Sequence, residues 1–286
     1  MTRSVFLDRD LPEAHAGAEV PVASAVAHHI RVSRIAADEE FDLVDGEGRR
    51  LRVVLAAQAE SDTAPDAAHE AARSGRGRRR SRTEAAGPLA VQVIAVTHES
   101  IGSPELVLIQ ALAKGDRDEQ AIESATEIGV DRVVPWAAAR SIADWPSHKE
   151  QKQTARWQAL LDSATQQSRR AQAPCLEPLV RGRKVLATLR DDDLVLVLHE
   201  DATEHLADVL DGLRTESADE GFGRLVLVVG PEGGISPEEL TAFRDAGARP
   251  VLLGPTVLRA SSAGPAGLAL AQVALGRWRS STSPRR

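Results

Sequence analysis

Residues 225–240 read LVLVVGPEGGISPEEL and join a predicted strand to a predicted helix through a glycine loop. The apolar, β-branched run 225–229 is typical of a strand buried inside a parallel sheet. Ser236 is suited to cap a helix, Pro237 suits its first turn, and Glu239 completes a capping box with Ser236. Ligands of open α/β sheets bind where such loops leave the carboxyl ends of strands. We therefore expect a ligand site at this loop.

Two details distinguish the loop from a plain tight turn. Glu232 lies inside it, where a turn alone needs no carboxylate. A second loop of similar kind follows one helix later, where the run 251–254 (VLLG) leads into residues 255–263. Because glycine lets ligand and backbone approach closely, the two loops could line one pocket. A purely structural βα turn is the alternative interpretation.

Composition limits the classes of protein to consider. The chain has 286 residues, 42% of them hydrophobic, which is enough for one large or two ordinary domains. A formal net charge of −7 argues against nucleic-acid binding through bulk charge, although a local basic patch could still bind. The single cysteine, Cys175, excludes an internal disulfide and a cysteine cluster for zinc, and is expected to be buried. No signal peptide or membrane span is recognised, so a soluble cytoplasmic protein without a membrane partner is expected.

Residues 1–103 predict a small β-barrel made of short strands. Alternating and apolar runs indicate strands at 19–22, 28–35, 40–44, 51–55 and 88–96. The arginines expected on the exposed faces of this barrel are Arg31, Arg34, Arg49, Arg50 and Arg52. We take Arg31 and Arg34 as candidate RNA-binding residues, because guanidinium groups bind phosphates; a solvated barrel face is the alternative.

Two segments lack any hydrophobic period. Residues 59–88 combine a polar, proline-containing start with a cluster of arginines among glycine and serine. We predict a disordered insertion in a barrel loop. It could touch RNA by charge alone, or simply be a solvated loop. Residues 280–286 are predicted to form a polar tail.

Residues 104–279 change to an alternation of strands and helices. Predicted strands lie at 106–112, 131–136, 194–198, 225–229 and 251–253. Predicted helices lie at 116–128, 149–170, 204–213, 237–246 and 262–278. Alternating elements of these lengths indicate an α/β domain with a parallel sheet.

Several common catalytic motifs are absent from the sequence. There is no G-x-x-x-x-G-K-[ST] loop, and no G-x-G-x-x-G follows a strand. There is also no G-x-S-x-G elbow, H-E-x-x-H or C-x-x-C. A kinase, an elbow-type hydrolase and a zinc enzyme are therefore disfavoured, and no metal is expected.

Several blocks, taken in chain order, resemble the RsmE family of SPOUT-class RNA methyltransferases. They are KGDR at 114–117, TEIGV at 126–130, QSRR at 167–170 followed by Pro174, GPEGGIS at 230–236, and LLGP with VLR within 252–259. The β-rich N-terminal part resembles the PUA-like RNA-binding domain of that family. The resemblance covers nearly the whole chain except the 59–88 insertion and the tail.

The resemblance implies an α/β fold: a PUA-like β-barrel at 1–103 and a SPOUT domain at 104–279 with a deep trefoil knot. It implies a homodimer that binds S-adenosyl-L-methionine in the knot. The implied reaction is methylation of N3 of one uridine in the 16S rRNA of the small ribosomal subunit. The residues implied to bind the cofactor are His199, Glu200, Gly230, Pro231, Glu232, Gly233, Gly234, Leu253, Gly254, Val257, Leu258, Ser262 and Ala263.

The candidate catalytic residues follow from the charge that such a reaction develops. Loss of the N3 proton places negative charge on the uracil oxygens, which a guanidinium of Arg170 or Arg259 could stabilise. Gln167 could bind the uracil edge. Glu127 and Glu232 are considered as bases, although Glu232 suits a role in shaping the loop or binding cofactor better. The alternative interpretations are that Arg170 stabilises a helix dipole and that Arg259 binds an rRNA phosphate.

Three positions depart from the pattern of the family. Thr256 stands where many members have arginine, Ser261 where many have glutamate, and Ser124 where lysine is frequent. These changes keep open a non-catalytic RNA-binding ribosome-assembly factor as an alternative. A different α/β nucleotide-binding enzyme acting on a small metabolite is the other alternative, and the predicted barrel argues against it.

Overall fold

The computed structural model of the protein describes residues 3–56, 89–215 and 221–278. These residues form two β-sheets, one of five strands near the N-terminus and one of seven strands in the rest of the chain. The predicted insertion at 59–88 and the predicted tail at 280–286 lie outside the described residues.

The first sheet is antiparallel apart from one edge. Its elements are β1 (Val5–Leu7), β2 (Glu19–Pro21), α1 (Ser24–Val32), β3 (Phe41–Val44), β4 (Arg49–Leu55) and β5 (Ala90–His98). The strand order is β1-β3-β4-β5-β2, and β1 runs parallel to β3. Strand β1 was not predicted. These ladders give a sheet with β1 and β2 at its edges, so a closed PUA-like barrel stays a prediction.

Helix α1 contradicts the strand predicted at 28–35. Ala27 and Ile30, spaced as neighbours on one helical face, are buried against the sheet. Val32, which completed the apparent alternation, is 66% exposed. The period of two was therefore accidental, and burial of one helical face determines the structure. Arg31 consequently lies on a helix and Arg34 just after it, both exposed.

The arginines of β4 are not the exposed phosphate-binding face that was expected. Arg49 is buried, and its guanidinium donates to the carbonyls of Leu11 and Pro12. Arg50 pairs with Asp42 at 3.1 Å. The N–H donors of Arg49 and Arg50 that a phosphate would need are already bonded to carboxylates and carbonyls of the protein. These two side chains therefore stabilise the fold.

The second sheet confirms the predicted alternation of strands and helices. Its elements are β6 (Glu105–Ala111), α2 (Arg117–Ile128), β7 (Arg132–Ala137), α3 (Ser147–Gln167), β8 (Cys175–Leu176), β9 (Val180–Arg181), a 3₁₀ helix (Gly182–Thr188), β10 (Asp193–Leu198), α4 (Leu206–Thr215), β11 (Arg224–Val229), α5 (Pro237–Asp245), β12 (Arg249–Val251) and α6 (Ala260–Ala274). Strand β12 and helix α6 begin two residues earlier than predicted. Cys175, expected to be buried, is exposed because it lies on the short edge strand β8.

All strands of the second sheet are parallel, in the order β12-β10-β11-β6-β7, with β8 and β9 beside β7. Leu198 at the end of β10 pairs with Val229 of β11 and Val251 of β12. The carboxyl ends of these three strands therefore lie next to one another. Helices α2, α3, α4 and α6 cover one face of the sheet, whereas α5 and the 3₁₀ helix cover the other.

The first sheet packs against the C-terminal end of α3. The backbone N–H of Leu7 donates to Gln166 Oε1 at 3.2 Å, and Ala173 N–H donates to the Gly46 carbonyl at 2.9 Å. Ala171 is buried in a small apolar cluster with Val5 and Val44. Of the helices in the described ranges, none is long and apolar enough to cross a bilayer.

Candidate functional site

A cavity of about 750 Å³ lies at the carboxyl edge of the parallel sheet. It is bounded by the loops that follow β10, β11 and β12, and its volume is typical of small-molecule sites. It is lined by almost all the residues predicted to bind a cofactor: His199, Glu200, Gly230, Pro231, Glu232, Gly233, Gly234, Leu253, Gly254, Val257, Leu258 and Ala263. The exception is Ser262, whose side chain is exposed in the first turn of α6.

The glycine loop after β11 is shaped by close backbone contacts. A Cβ on Gly230 would lie 2.7 Å from Ile235 Cγ1, and Gly234 has a φ of +72°. The loop then enters α5 through the predicted capping box, since Ser236 Oγ accepts from Glu239 N–H and Glu239 Oε2 accepts from Ser236 N–H, both at 3.2 Å. The chain therefore reverses tightly and directs its loop backbone at the cavity.

Glu232 connects the glycine loop to the loop after β6. Its Oε1 accepts from Lys114 N–H at 3.1 Å and from Arg117 Nη1 at 3.0 Å. Arg117 also lines the cavity. A carboxylate engaged by two donors supports the interpretation that Glu232 shapes the loop more than that of a general base. Glu127, the other acid considered, is exposed on α2 and does not line the cavity.

Arg140 is a residue of this site that the sequence analysis missed. It follows β7, lines the cavity, and donates from Nη1 to the Gly233 carbonyl at 3.2 Å. A Cβ on Gly233 would lie 3.1 Å from the Arg140 carbonyl oxygen, so the two loops are in direct contact. The sequence does show that Arg140 lies just beyond the carboxyl end of a predicted parallel strand. It does not show that the loops after β7 and β11 lie next to each other, because that depends on the tertiary structure.

Other residues that line the cavity are also not among the residues predicted from the sequence to bind a ligand. Most of them are apolar and lie at strand ends or at the start of α5: Leu198, Val229, Ile235, Leu240 and Leu252. Asp201 adds a carboxylate near Glu200, and its N–H donates to His199 Nδ1 at 3.1 Å. The wall is therefore apolar, with acidic side chains in the loop after β10.

Arg259 is the predicted catalytic residue that reaches this cavity. It lines the cavity just before α6, and its carbonyl accepts from Ser262 and Ala263 N–H. Within the described part of the chain, no hydrogen bond or ion pair engages its guanidinium. Of the departures from the family pattern, Thr256 lines the cavity, whereas Ser261 is buried in α6 and does not.

Arg170 and Gln167 lie away from the cavity of their own chain. Arg170 donates from Nη1 to the Thr126 carbonyl at 2.8 Å and lies 3.8 Å from Asp131 Oδ1. Asp131 also accepts from Leu106 N–H at the start of β6, so this cluster marks the amino edge of the sheet. Strand β6 runs from this amino edge to the carboxyl edge of the sheet, and a strand of that length separates the two edges by about 20 Å. Gln167 ends α3 and is exposed there.

Burial affects the ionisation of Arg170. Its pKa is lowered by desolvation, an effect that the neighbouring Asp131 opposes and Arg277 reinforces. Arg277 itself donates to Asp131 Oδ2 at 2.7 Å. Arg170 is thus part of a buried ion-pair network that joins α2, β7 and the C-terminal end of α6. Over residues 3–56, 89–215 and 221–278, no group of His, Cys, Asp and Glu side chains is placed to hold a metal ion.

Comparison with known proteins agrees with this geometry. A family model described as RNA methyltransferase domain matches residues 102–272. The ribosomal RNA small subunit methyltransferase E of Mycobacterium bovis is 37% identical over 287 residues, which cover 99% of this chain and 96% of that protein. The protein of the same name from Mycobacterium tuberculosis matches equally.

The fold is also shared with solved structures. A crystal structure of a ribosomal RNA small subunit methyltransferase E from Neisseria gonorrhoeae, described as bound to S-adenosyl methionine, superposes with a TM-score of 0.74 at 22% identity. The match covers 95% of this chain and 98% of that one. The family match, the identity over the full chain and the common fold show that the chain belongs to the ribosomal RNA small subunit methyltransferase E (RsmE) family of RNA methyltransferases.

Proposed function

We propose that the protein transfers a methyl group from S-adenosyl-L-methionine to N3 of one uridine in the 16S rRNA of the small ribosomal subunit. The observation that carries this proposal is the single cavity formed by the loops after β10, β11 and β12, the loops that the family resemblance assigned to the cofactor. The Mycobacterium relatives carry the name of a small-subunit rRNA methyltransferase and match this chain over nearly its whole length.

The residues of the cavity fit this cofactor. Gly254 lines the cavity, and a Cβ built on it meets no atom within 4 Å, so a side chain there would occupy space left for a ligand. The apolar walls suit an adenosyl group, and the carboxylates of Glu200 and Asp201 complement the positive charges of the sulfonium and ammonium groups. S-adenosyl-L-methionine, when bound, supplies an already activated methyl group, so no metal is required.

The task of the protein is then to position the uracil and to stabilise charge. Arg259 lines the cavity and has no partner within the described residues, which leaves its donors available to the uracil O2 or O4. A guanidinium in that place stabilises the negative charge that develops as the N3 proton leaves. Glu232 holds the loop backbone through Lys114 and Arg117, which keeps the cofactor loops in a fixed geometry.

The residues at 1–103 are proposed to be the RNA-binding domain and those at 104–279 the methyltransferase domain. Arg31 and Arg34 are exposed on the N-terminal half and would contact rRNA phosphates. The target uridine would have to leave its stack to enter the cavity. Charge reversal at Arg31 or Arg34 should weaken RNA binding and spare cofactor affinity; an equal loss of both would contradict this division.

We also propose a homodimer and the deep trefoil knot that the family resemblance implies. Helix α6 carries an exposed apolar strip of Leu270, Val273 and, just beyond its end, Trp278. Trp278 Nε1 donates to the Ile128 carbonyl at 3.2 Å, next to the network that holds Arg170. A second copy covering this strip would bring Arg170 to the interface, where it could serve the cavity of the partner. The proposal of the knot rests on the family resemblance.

Methyl transfer to different substrates tests the proposal directly. Labelled S-adenosyl-L-methionine would be incubated with undermethylated small subunits, naked 16S rRNA and free uridine, and the product mapped by mass spectrometry. We expect one N3-methyluridine, made on assembled subunits. Cofactor binding without transfer to any substrate would instead support the non-catalytic assembly factor, which the well-formed cavity does not favour. Transfer to free uridine would support an enzyme of small metabolites.

A further inference from the structure

The loop between β7 and α3, residues 138–146, reaches the cavity through Arg140, a residue that has no role in the function proposed above. It carries Arg140, which lines the cavity, and Ile142, whose side chain is 69% exposed. An exposed guanidinium at the cavity and an exposed aliphatic side chain two residues further along place a charged and an apolar group on one stretch of surface. We call this segment the β7–α3 loop.

The β7–α3 loop is held firmly at both ends. Ala139 N–H donates to Glu239 Oε1 at 2.8 Å, which ties the start of the loop to α5. At its other end Trp145 is buried, with its ring edge-on to Trp157 at a centroid distance of 5.0 Å. The Arg181 guanidinium also donates to the Trp145 carbonyl at 2.6 Å. Ile142 therefore lies between two anchored ends of the loop.

Arg140 brings an uncompensated positive charge to this loop. Its Nη1 donates to the Gly233 carbonyl, and no ion pair engages it among the residues that the structure describes. Arg117, the first residue of α2, is by contrast paired with Glu232 at 3.0 Å. A guanidinium has five N–H donors, so most of those of Arg140 are available to a ligand outside the cavity.

We propose that the β7–α3 loop is an RNA-contacting surface in which Arg140 binds a phosphate beside the target nucleotide. Ile142 packs against a neighbouring base. This inference rests on the proposed function, since it assigns the RNA contact of the same site. A phosphate suits Arg140 because planar guanidinium groups bind phosphate oxygens in pairs. An aliphatic side chain beside an extruded nucleotide replaces part of the stacking that the flipped base gives up.

The location argues for RNA over the cofactor as the partner of Arg140. The acidic residues Glu200 and Asp201 follow β10, whereas Arg140 follows β7, on the far side of β11 and β6. The side chain of Arg140 is exposed, so it faces what enters from solvent. Because Arg140 donates a hydrogen bond to the Gly233 carbonyl, a phosphate bound by Arg140 would lie directly beside the glycine loop. RNA binding at Arg140 would thus be coupled to the part of the cavity that this loop lines.

Substitution of Arg140 tests the proposal with a matched control. Arg140→Gln keeps a donor for the Gly233 carbonyl but removes the charge, and Arg140→Lys keeps the charge. Arg190→Gln is the control, because Arg190 is exposed just before β10, at the opposite edge of the sheet. The measurements are KM and kcat for methyl transfer to undermethylated small subunits, the Kd for small subunits at a series of salt concentrations, and the Kd of S-adenosylhomocysteine by calorimetry.

We expect Arg140→Gln to raise KM for the subunit about tenfold and to reduce the salt dependence of RNA binding by about one phosphate contact. The Kd of S-adenosylhomocysteine and kcat should change less than about twofold. Arg140→Lys should recover part of the loss, Ile142→Ser should raise KM without changing the salt dependence, and Arg190→Gln should behave as the wild type.

Two outcomes would overturn the inference. A rise in the Kd of S-adenosylhomocysteine that equals the rise in KM would place Arg140 in the cofactor site. An unchanged KM and salt dependence in Arg140→Gln would show that the loop does not contact RNA. If the wild-type protein transfers no methyl group at all, the proposed function fails, and the same variants are compared by direct binding to small subunits, which tests the RNA contact separately.

Discussion

The guanidinium of Arg117 donates to the carboxylate of Glu232 across 3.0 Å and so joins the loops that follow β6 and β11. The Lys114 N–H donates to the same oxygen at 3.1 Å. Two loops that are 115 residues apart in sequence are thereby held as one wall of the cavity. The side chains are only partly exposed, at 40% for Arg117 and 24% for Glu232. Solvent therefore weakens the attraction within this ion pair without abolishing it.

Removal of Glu232 should therefore loosen the proposed cofactor site. We expect Glu232→Ala to raise the Kd of S-adenosylhomocysteine about tenfold, or ~1.4 kcal/mol, measured by titration calorimetry. Arg117→Ala should have a smaller effect, because the Lys114 contact remains. The double variant should lose less than the sum of the two, since both residues act through one contact. Glu238→Ala, an exposed acid on α5, is the control. Full additivity would contradict a shared role.

Gly254→Ala separates ligand binding from stability. A Cβ at this position meets no protein atom within 4 Å and points into space beside the cavity loops. We expect the melting temperature to shift by less than about 2 °C and the affinity for S-adenosylhomocysteine to fall about tenfold. Gly212→Ala on α4, where a Cβ also meets no atom within 4 Å, is the control and should leave affinity unchanged. Normal affinity in Gly254→Ala would show that the cofactor lies elsewhere.

The capping box of α5 should contribute measurably to stability. Ser236→Ala removes one acceptor at the buried start of the helix and should cost about 1 kcal/mol of unfolding free energy. Glu239→Ala should cost about 2 kcal/mol, because it leaves the N–H groups of both Ser236 and Ala139 without an acceptor. Urea denaturation measures both. A Glu239 variant as stable as the Ser236 variant would contradict the link between α5 and the β7–α3 loop.

Asp118 should make the free energy of unfolding depend on pH, in a direction that follows from the shift of its pKa. Burial raises the pKa of Asp118 above 3.8, although the N–H groups of Ala113 and Glu119 oppose the shift. The folded state then binds the proton more tightly than the unfolded state. The resulting stabilisation is complete below pH 3.8 and is lost as the pH rises through the folded pKa.

Asp118→Asn removes this titration and offers a direct comparison. The unfolding free energy of the variant minus that of the wild type should rise as the pH increases above 3.8, and should level off once the pH exceeds the folded pKa of Asp118. The pKa of Glu119 is also raised, mainly by desolvation, but that residue is present in both proteins and its contribution cancels in first order. A difference that falls with pH would contradict the predicted sign.

The apolar strip of α6 should control association. Leu270 and Val273 are 41% and 50% exposed on one helical face. A carboxylate introduced there would be buried at an interface between two copies, which is strongly unfavourable. We expect Leu270→Glu and Val273→Glu to shift the protein from dimer to monomer in analytical ultracentrifugation and to lower methyl transfer. Thr241→Glu, at an exposed position of α5 on the other face of the sheet, is the control. A wild-type monomer would contradict the proposed dimer.

The local elements of the second sheet could be predicted from the sequence because their signals are local. The run 225–229 had to be buried on both faces, and Ser236 with Glu239 had to start a helix. The loops after β11 and β12 were also predicted to line one pocket, and they do, because they follow strands on either side of β10 in one parallel sheet. Their assignment to a cofactor comes from the family resemblance and stays a prediction. The prediction of a strand at 28–35 was wrong for a related reason. A short alternation of polar and apolar residues does not reveal which face of the segment the rest of the chain covers.

The tertiary structure alone decided which distant residues meet. It placed Arg140 against Gly233 and Glu239 against the β7–α3 loop, contacts that depend on the order of strands across the sheet. It also placed Arg170 at the amino edge with Asp131, about 20 Å from the cavity that the sequence blocks had assigned it to. Sequence patterns report burial and local geometry, which few residues determine. Contacts across the sheet depend on how all the elements pack, because hydrogen bonds and ion pairs form only between groups that packing brings within reach.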